Sequence, residues 1–309
     1  MSDYTDGIVI VDKPLGMTSH DVVGRMRRVL GMRRVGHAGT LDPDASGVLV
    51  LGFGRGTRLL TFLVGDDKDY TATIRLGATM STDDAAGEML TRAAAADVLA
   101  ISDAAITAAA TEFTGVIFQR PSAVSAVKVD GVRSYARVRA GEEVSLPERE
   151  VTVHRLDVQS ISRDAEHGWI DVAALFTVSS GTYIRALARD MGAALGVGGH
   201  LTSLRRTRSG QFSESEAIAL PEPGDAVAVL SLTQAMRRCL ACVDVDETAA
   251  HNLAHGRAVS MPPDTAFENS PLDSTQPVGV IREETALAIA NLRDGFLHPT
   301  VVFEAANSG

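Results

Sequence analysis

The sequence predicts an α+β protein that ends in a small β-rich module, and three observations carry that prediction. Strand patterns recur throughout, as in "DYTATIRLG", where Tyr70, Ala72, Ile74 and Leu76 share one face and Thr71, Thr73 and Arg75 the other. Helical apolar spacing closed by glycine alternates with them, as in "TYIRALARDMGAALG", which stops at Gly196. The composition then changes near residue 240: residues 214–309 hold 14 Asp/Glu against 5 Lys/Arg, a net of −9.

In chain order, "GIVIVDKPLGMTS" reads as a buried strand, a proline–glycine turn and a helix capped by Thr18 or Ser19, with Asp21 in its first turn and Gly31 as its stop. "GVLVLGFG" is a continuous apolar run, hence a buried strand, followed by a helix from about Thr57 to Val64. "SDAAITAAATEFTG" predicts a helix capped by Ser102. Within the polar, basic residues 119–150, "GVRSYARVRAG" predicts a helix and a turn. "EVTVHRLDVQSIS" and "GWIDVAALFTVSSG" predict paired strands. Past a boundary near residue 240, "AVSMPP", "PVGVIREE", "ALAIANLRDG" and "HPTVVF" predict short strands around a Pro/Ser/Asp-rich loop at 262–277.

Composition excludes several classes. A chain of 309 residues with 45% hydrophobic and 22% charged residues is that of a globular protein large enough to bury a core. No run approaches the ~18 apolar residues of a membrane helix, and the N-terminus lacks a secretory pattern. Two cysteines argue against a disulfide scaffold and for a reducing cytoplasm. The net charge of −10 is unevenly spread: residues 1–213 are almost neutral and hold "RMRRVLGMRR", with five arginines, and "LRRTRSG", with three. Contact with phosphate needs only local positive charge, although such clusters also occur as solvated helix faces.

The motif "GHAGTLDPDASG" at 36–47 invites three chemistries. An EF-hand loop opening at Asp42 would need a bidentate acid at its twelfth position, which is Phe53. The glycines of "GFGRGTR" would match a dinucleotide fingerprint only if residue 57 were glycine; it is Thr57, and no Walker lysine is present. Backbone packing is the simpler reading of those glycines. A carboxylate presented between a glycine turn and a buried strand remains, although an Asp-Pro pair is by itself an ordinary turn. Cys239-x-x-Cys242 followed by His251-x3-His255 has zinc-ligand types, but its gap of 8 residues is shorter than the ~12 of a zinc finger. Buried thiols, with His251 and His255 on a short helix capped by Asp246 and stopped by Gly256, are the simpler reading.

Six blocks settle the balance by resemblance. "DKPLGMTSHDVV", "RVGHAGTLDPDASGVLVLGFGRGTRLL", "KDYTATIRLG", "PSAVSAVKVDGVRSYARVR", "SSGTYIRALARDMG" and "HLTSLRRTRSG" resemble, in order and spacing, the TruB family of bacterial tRNA pseudouridine synthases, which act on uridine 55 of the T loop. The resemblance spans residues 7 to about 213. It implies a pseudouridine synthase fold with a mixed, mainly antiparallel sheet in a catalytic domain at 1–240, an RNA-clamping insertion at about 120–150, and a PUA-like domain at 241–309. It also implies Asp42 as the catalytic aspartate with Arg185 as its partner, Tyr70 stacked on the base, Tyr183 and Leu204 lining the uracil pocket, and His37 near a displaced nucleotide. Arg33, Arg34, Lys128, Arg133, Arg205 and Arg206 are then candidates for phosphate contact, with Arg137 and Arg139 beside them. Where the family usually has an apolar residue, this chain has Asp44. A second buried carboxylate would raise the pKa of the first, so Asp44 is expected to face solvent or a basic neighbour.

Pseudouridine formation breaks the N1–C1′ bond, turns the uracil and joins C5 to C1′. It needs no redox step or group carrier, so no cofactor and no metal are expected; the expected partner is the tRNA T stem-loop, the place of action the cytoplasm, and the state a monomer without membrane contact. Two other readings compete: an RNA-binding protein with secondary catalysis, and an N-glycosidic hydrolase, which would need a second catalytic carboxylate or an activated water.

Overall fold

The computed structural model describes residues 5–122, 146–262 and 276–303, together with the backbone at 128–129 and 132–133. The strands of the larger part are β1 (Gly7–Lys13), β2 (Val35–Ala38), β3 (Ala45–Phe53), β4 (Lys68–Leu76), β5 (Ala78–Met80), β6 (Met89–Arg92), β7 (Gly115–Gln119), β8 (Lys128–Val129), β9 (Val132–Arg133), β10 (Arg149–Asp164), β11 (Trp169–Val178), β12 (Gly199–Ser209), β13 (Phe212–Ser213) and β14 (Ile218–Ala219). Its α-helices are α1 (Ser19–Val29), α2 (Leu60–Leu63), α3 (Ala95–Leu99), α4 (Asp103–Glu112) and α5 (Ile184–Ala194).

Ten strands form one mixed sheet in the order β14-β1-β3-β12-β4-β11-β10-β7, with β2 on β3 and β13 on β12. Only β1–β14 and β3–β12 run parallel; the other pairs are antiparallel. The α+β architecture with a mixed, mainly antiparallel sheet is therefore the one the sequence predicts.

The apolar runs of β1 and β3 are continuous because both faces are covered. Val9, Val11, Leu49 and Leu51 pack with Val22, Val23 and Met26 of α1. Ile8, Ile10, Val48 and Val50 pack on the other side with Leu59, Leu60 and Leu63. The amphipathic α5 lays Ile184, Leu187, Ala188 and Met191 against Ile74, Val172, Phe176 and Leu201 of the sheet. Thr18 caps α1 with a complete capping box to Asp21, and Ser102 caps α4 through Ala105 N–H. Two expectations need correction. The stretch after β3 is a 3-10 turn at Gly54–Arg58 before the four-residue α2, not one helix. "GVRSYARVRAG" contributes β9 at Val132–Arg133, paired with β8, where a helix was predicted; its remaining residues lie outside those described.

Gly47 makes the central parallel pairing possible. Its φ of +104° suits glycine, and a Cβ there would sit 2.1 Å from the Arg206 carbonyl oxygen on β12. Gly47→Ala should lower stability by at least about 2–3 kcal/mol, whereas Gly16→Ala, at positive φ with open space around it, should cost about 1 kcal/mol. Urea midpoints of the two variants check this; equal losses would show that the approach of β12 is not what Gly47 serves. The glycines of "GFGRG" also serve packing: a Cβ on Gly56 would meet the Gly7 carbonyl oxygen at 2.2 Å.

From residue 241 a second, five-stranded sheet forms from β15 (Ala241–Asp244), β16 (Val259–Ser260), β17 (Pro277–Arg282), β18 (Thr285–Arg293) and β19 (Phe296–Val302), in the order β15-β17-β18-β19-β16. Helices α6 (Leu232–Cys239) and α7 (Glu247–Ala254) flank it, α7 capped by Asp246. Ile281, Ala286, Ile289 and Phe303 join the cluster of Ile8 and Val50, so the second sheet packs on the β1–β3 face opposite α1. Among the described residues, no helix is long and apolar enough to cross a membrane.

Candidate active site

Asp42 lies on the loop between β2 and β3, and backbone contacts fix that loop. Ser19, buried at the start of α1, donates to Leu41 O (3.0 Å) and accepts from Leu41 N–H (2.8 Å). Ala45 N–H closes the turn on Asp42 O (3.1 Å), and Gly16 N–H bonds Pro43 O (2.9 Å). The buried Lys13 ammonium donates to Met17 O (2.6 Å) and Pro14 O (2.9 Å); burial pushes its pKa down to about 8.

Arg185 stands in the first turn of α5 with its side chain 5% exposed. Its guanidinium lies 3.0 Å from Asp42 Oδ2 and 3.3 Å from Asp84 Oδ2, and donates to Thr82 O at 2.9 Å. Asp83, next in the same loop, accepts from Ser122 (2.7 Å) and Arg189 (3.1 Å). The loop "STDDAAG" thus holds two arginines of one helix face, four residues apart. Burial pushes the Asp42 carboxyl above its ordinary value; Arg185 opposes the shift, and Asp84 and Asp44 add to it.

The pair faces a cavity of about 270 Å³ whose wall includes Tyr70, Tyr183, Leu204, Val178, Lys68 and Arg149. The sheet order explains this convergence: β3, β12, β4 and β11 are consecutive, so the end of β11 and the start of α5 pass beside Asp42, Leu204 and Tyr70. On its other side the pair borders a second cavity with Asp44 and Leu15. Asp44 itself is exposed, as expected.

The structure thus brings Asp42, Tyr70, Tyr183, Arg185 and Leu204 to one cavity. His37 is apart, in a neighbouring cleft of about 450 Å³ with Arg27, Arg33 and Arg34; Val64 borders both. One phosphate expectation is corrected. Arg206 is buried at 1% exposure and donates to Val48 O (2.7 Å) and Gly39 O (3.1 Å), out of reach of RNA. Arg205, 36% exposed, bonds both oxygens of Asp12 (2.9 and 3.0 Å) and Glu214 (3.0 Å). The side chains of Lys128, Arg133, Arg137 and Arg139 lie outside the described residues.

Sequence reasoning missed Asp84, Lys68, Gln119 and Arg149. The doubled aspartate in "STDDAAG" and the lysine two before Tyr70 were the available signals; Gln119 and Arg149 offered none. Cys239 and Cys242 are free thiols, and His251 and His255 sit ring to ring at 4.4 Å. Among the described residues, no cluster of three or more His, Cys, Asp or Glu side chains could hold a metal ion.

Solved structures share this architecture. One described as an H/ACA RNP bound to a substrate RNA containing 2′-deoxyuridine superposes with a TM-score of 0.72 and 25% identity, covering 97% of this chain and 86% of the other. A Cbf5–Nop10–Gar1 complex gives 0.71 and 27% over the same shares. The model of the TruB family pseudouridylate synthase N-terminal domain matches residues 27–184, and that of the tRNA pseudouridylate synthase B C-terminal domain matches 185–245. The fold and the family models place the chain in the pseudouridine synthase class of isomerases. Proteins named tRNA pseudouridine synthase B are 48% identical in Arthrobacter sp. (strain FB24), over 97% of each chain, and 50% identical in Thermobifida fusca (strain YX), over 96% of this chain and 98% of the other. The chain belongs to the TruB family.

Proposed function

We propose that this enzyme isomerises uridine 55 in the T loop of tRNA to pseudouridine, with Asp42 as the catalytic carboxylate. The observation that carries the reading is the Asp42–Arg185 pair, 3.0 Å apart beside a cavity walled by Tyr70, Tyr183 and Leu204. The names of the relatives support tRNA as substrate. The uridine flips out of the folded RNA and stacks on Tyr70, a contact worth roughly 1–3 kcal/mol. Asp42 acts at the sugar, as a nucleophile on C1′ or as a base toward a glycal-type intermediate, while N1–C1′ breaks. The uracil turns within the apolar wall, C5 joins C1′, and the C5 proton is exchanged for one on N1, so the atoms balance without a co-reactant. Exclusion of water keeps the intermediate from hydrolysis.

His37, Arg33 and Arg34 would receive a neighbouring nucleotide and its phosphates in the second cleft, where exposed arginines can set register. We assign residues 1–240 to the catalytic domain and 241–309 to a PUA-like RNA-binding domain, with the enzyme acting in the cytoplasm. A T stem-loop transcript tests the substrate: it should be isomerised at the position equivalent to 55, and a full tRNA with cytidine there should yield no pseudouridine. Modification of that cytidine-bearing tRNA at another uridine would contradict the assignment.

Either role of Asp42 requires its ionised form, and its pKa is raised in the folded protein. Activity should therefore fall on acidification at a pH above that of an ordinary aspartate, as the carboxylate takes up its proton. A kcat/KM profile of the wild type reads this directly. A rate flat down to the pKa of a free aspartate would contradict it.

A further inference from the structure

Tyr183 is gripped from two adjacent strands. Gln119, fully buried at the end of β7, accepts from Tyr183 N–H (2.8 Å), a donor just ahead of a helix that the helix itself does not pair, and donates to Tyr183 O (3.1 Å), which also accepts from Leu187 N–H (3.2 Å). Its register partner across the sheet is Arg149, the first residue of β10. Arg149 places its guanidinium over the Tyr183 ring, 4.9 Å from the centroid, and bonds Gly181 O. Its buried Nε has no hydrogen-bond partner among the described residues. The two contacts that place the guanidinium are the Tyr183 ring and the Gly181 carbonyl oxygen, both in the segment leading into α5. Both residues act where the chain passes from β11 into α5, two positions before Arg185.

On the reading of the site given above, we infer that Gln119 and Arg149 are positioning residues for Tyr183. Gln119 sets its backbone and Arg149 its ring, and together they fix the aromatic wall of the uridine pocket. Arg149 does this by stacking, not as a phosphate ligand, so the planar fork is essential and a point charge cannot replace it.

The test compares Arg149→Lys, Arg149→Met and Gln119→Met with the wild type. It measures kcat and KM on tRNA, the Kd for tRNA in the Asp42→Asn background, and the melting temperature. A wild type that makes no pseudouridine would reject the reading of the site itself; an active wild type leaves the following outcomes to judge the positioning. Both Arg149 variants should lose about tenfold or more in kcat, with Kd and its salt dependence changed less than twofold. In a Tyr183→Ala background, Arg149→Met should cost nothing further, because the group it positions is gone. Gln119→Met should lower kcat in the same way, and if it fails to fold, the Arg149 cycle alone decides. An Arg149→Lys enzyme with wild-type kcat, or an Arg149→Met loss that is undiminished without the Tyr183 ring, would overturn the inference. So would a tRNA affinity whose salt slope falls by about one charge, which marks a phosphate contact.

Discussion

Asp42→Asn is expected to abolish isomerisation, with kcat falling at least about 10⁴-fold, roughly 5.5 kcal/mol of transition-state stabilisation. Asparagine keeps the shape of the side chain and can still accept from Arg185, so the pocket should stay intact and tRNA affinity should change little. Stability should not fall. A carboxyl whose pKa is raised in the folded state contributes stability only at low pH, below its unfolded value, and that contribution is lost as pH rises through its folded value. At neutral pH the ionised Asp42 therefore works against folding, and the neutral amide relieves it. Denaturation at pH 7 should show the variant to be at least as stable as the wild type. Loss of stability together with activity would mean that Asp42 is a structural residue of its loop.

Arg185→Met should act on both quantities. Arg185 is nearly fully buried and holds Asp42 and Asp84 apart while bonding Thr82 O. Removing its charge leaves two carboxylates facing each other across an apolar side chain. Because the Asp42 side chain is 41% exposed, the cost should be about 1–3 kcal/mol, below that of breaking a fully buried pair. Activity should fall about 10³-fold or more, since Asp42 then ionises only at higher pH and is no longer aimed. Two readouts separate these effects: the urea midpoint, and a residual kcat/KM profile whose acidic limb moves up in pH. A variant with normal stability and an unmoved acidic limb would show that Arg185 does not control Asp42.

Much of the architecture was legible because local signals agree with the fold. Thr18 with Asp21, Ser102, Gly196 and Asp246 mark helix ends that the structure keeps, and the alternation in "DYTATIRLG" places Tyr70 on the buried face. What escaped is long-range. β12 was not legible as a strand because "LRRTRS" reads as a polar cluster, yet each arginine there has its partner on another strand or loop. Arg205 meets Asp12, Arg206 meets Val48 O and Gly39 O, and Arg208 meets both oxygens of Asp69 at 2.6 and 2.8 Å. These bonds tie β12 into the sheet. Asp84 was hidden for the same reason, since its role depends on an arginine 101 residues further on. Gln119 gives no periodic or charge signal at all, and only the fold brings it to Tyr183. Asp42 was the reverse case: its motif was plain, and the family resemblance pointed to Arg185, Tyr70, Tyr183 and Leu204, which the structure brings to the same cavity.

The central claim is that Asp42 carries a uridine isomerisation at one position of tRNA. Nucleotide-resolution mapping of pseudouridine in a tRNA transcript, incubated in parallel with wild type and with Asp42→Asn, tests it most directly. The account predicts a single new pseudouridine at position 55 with the wild type and none with the variant. A signal at 55 that survives in Asp42→Asn, or release of free uracil in place of isomerisation, would contradict it.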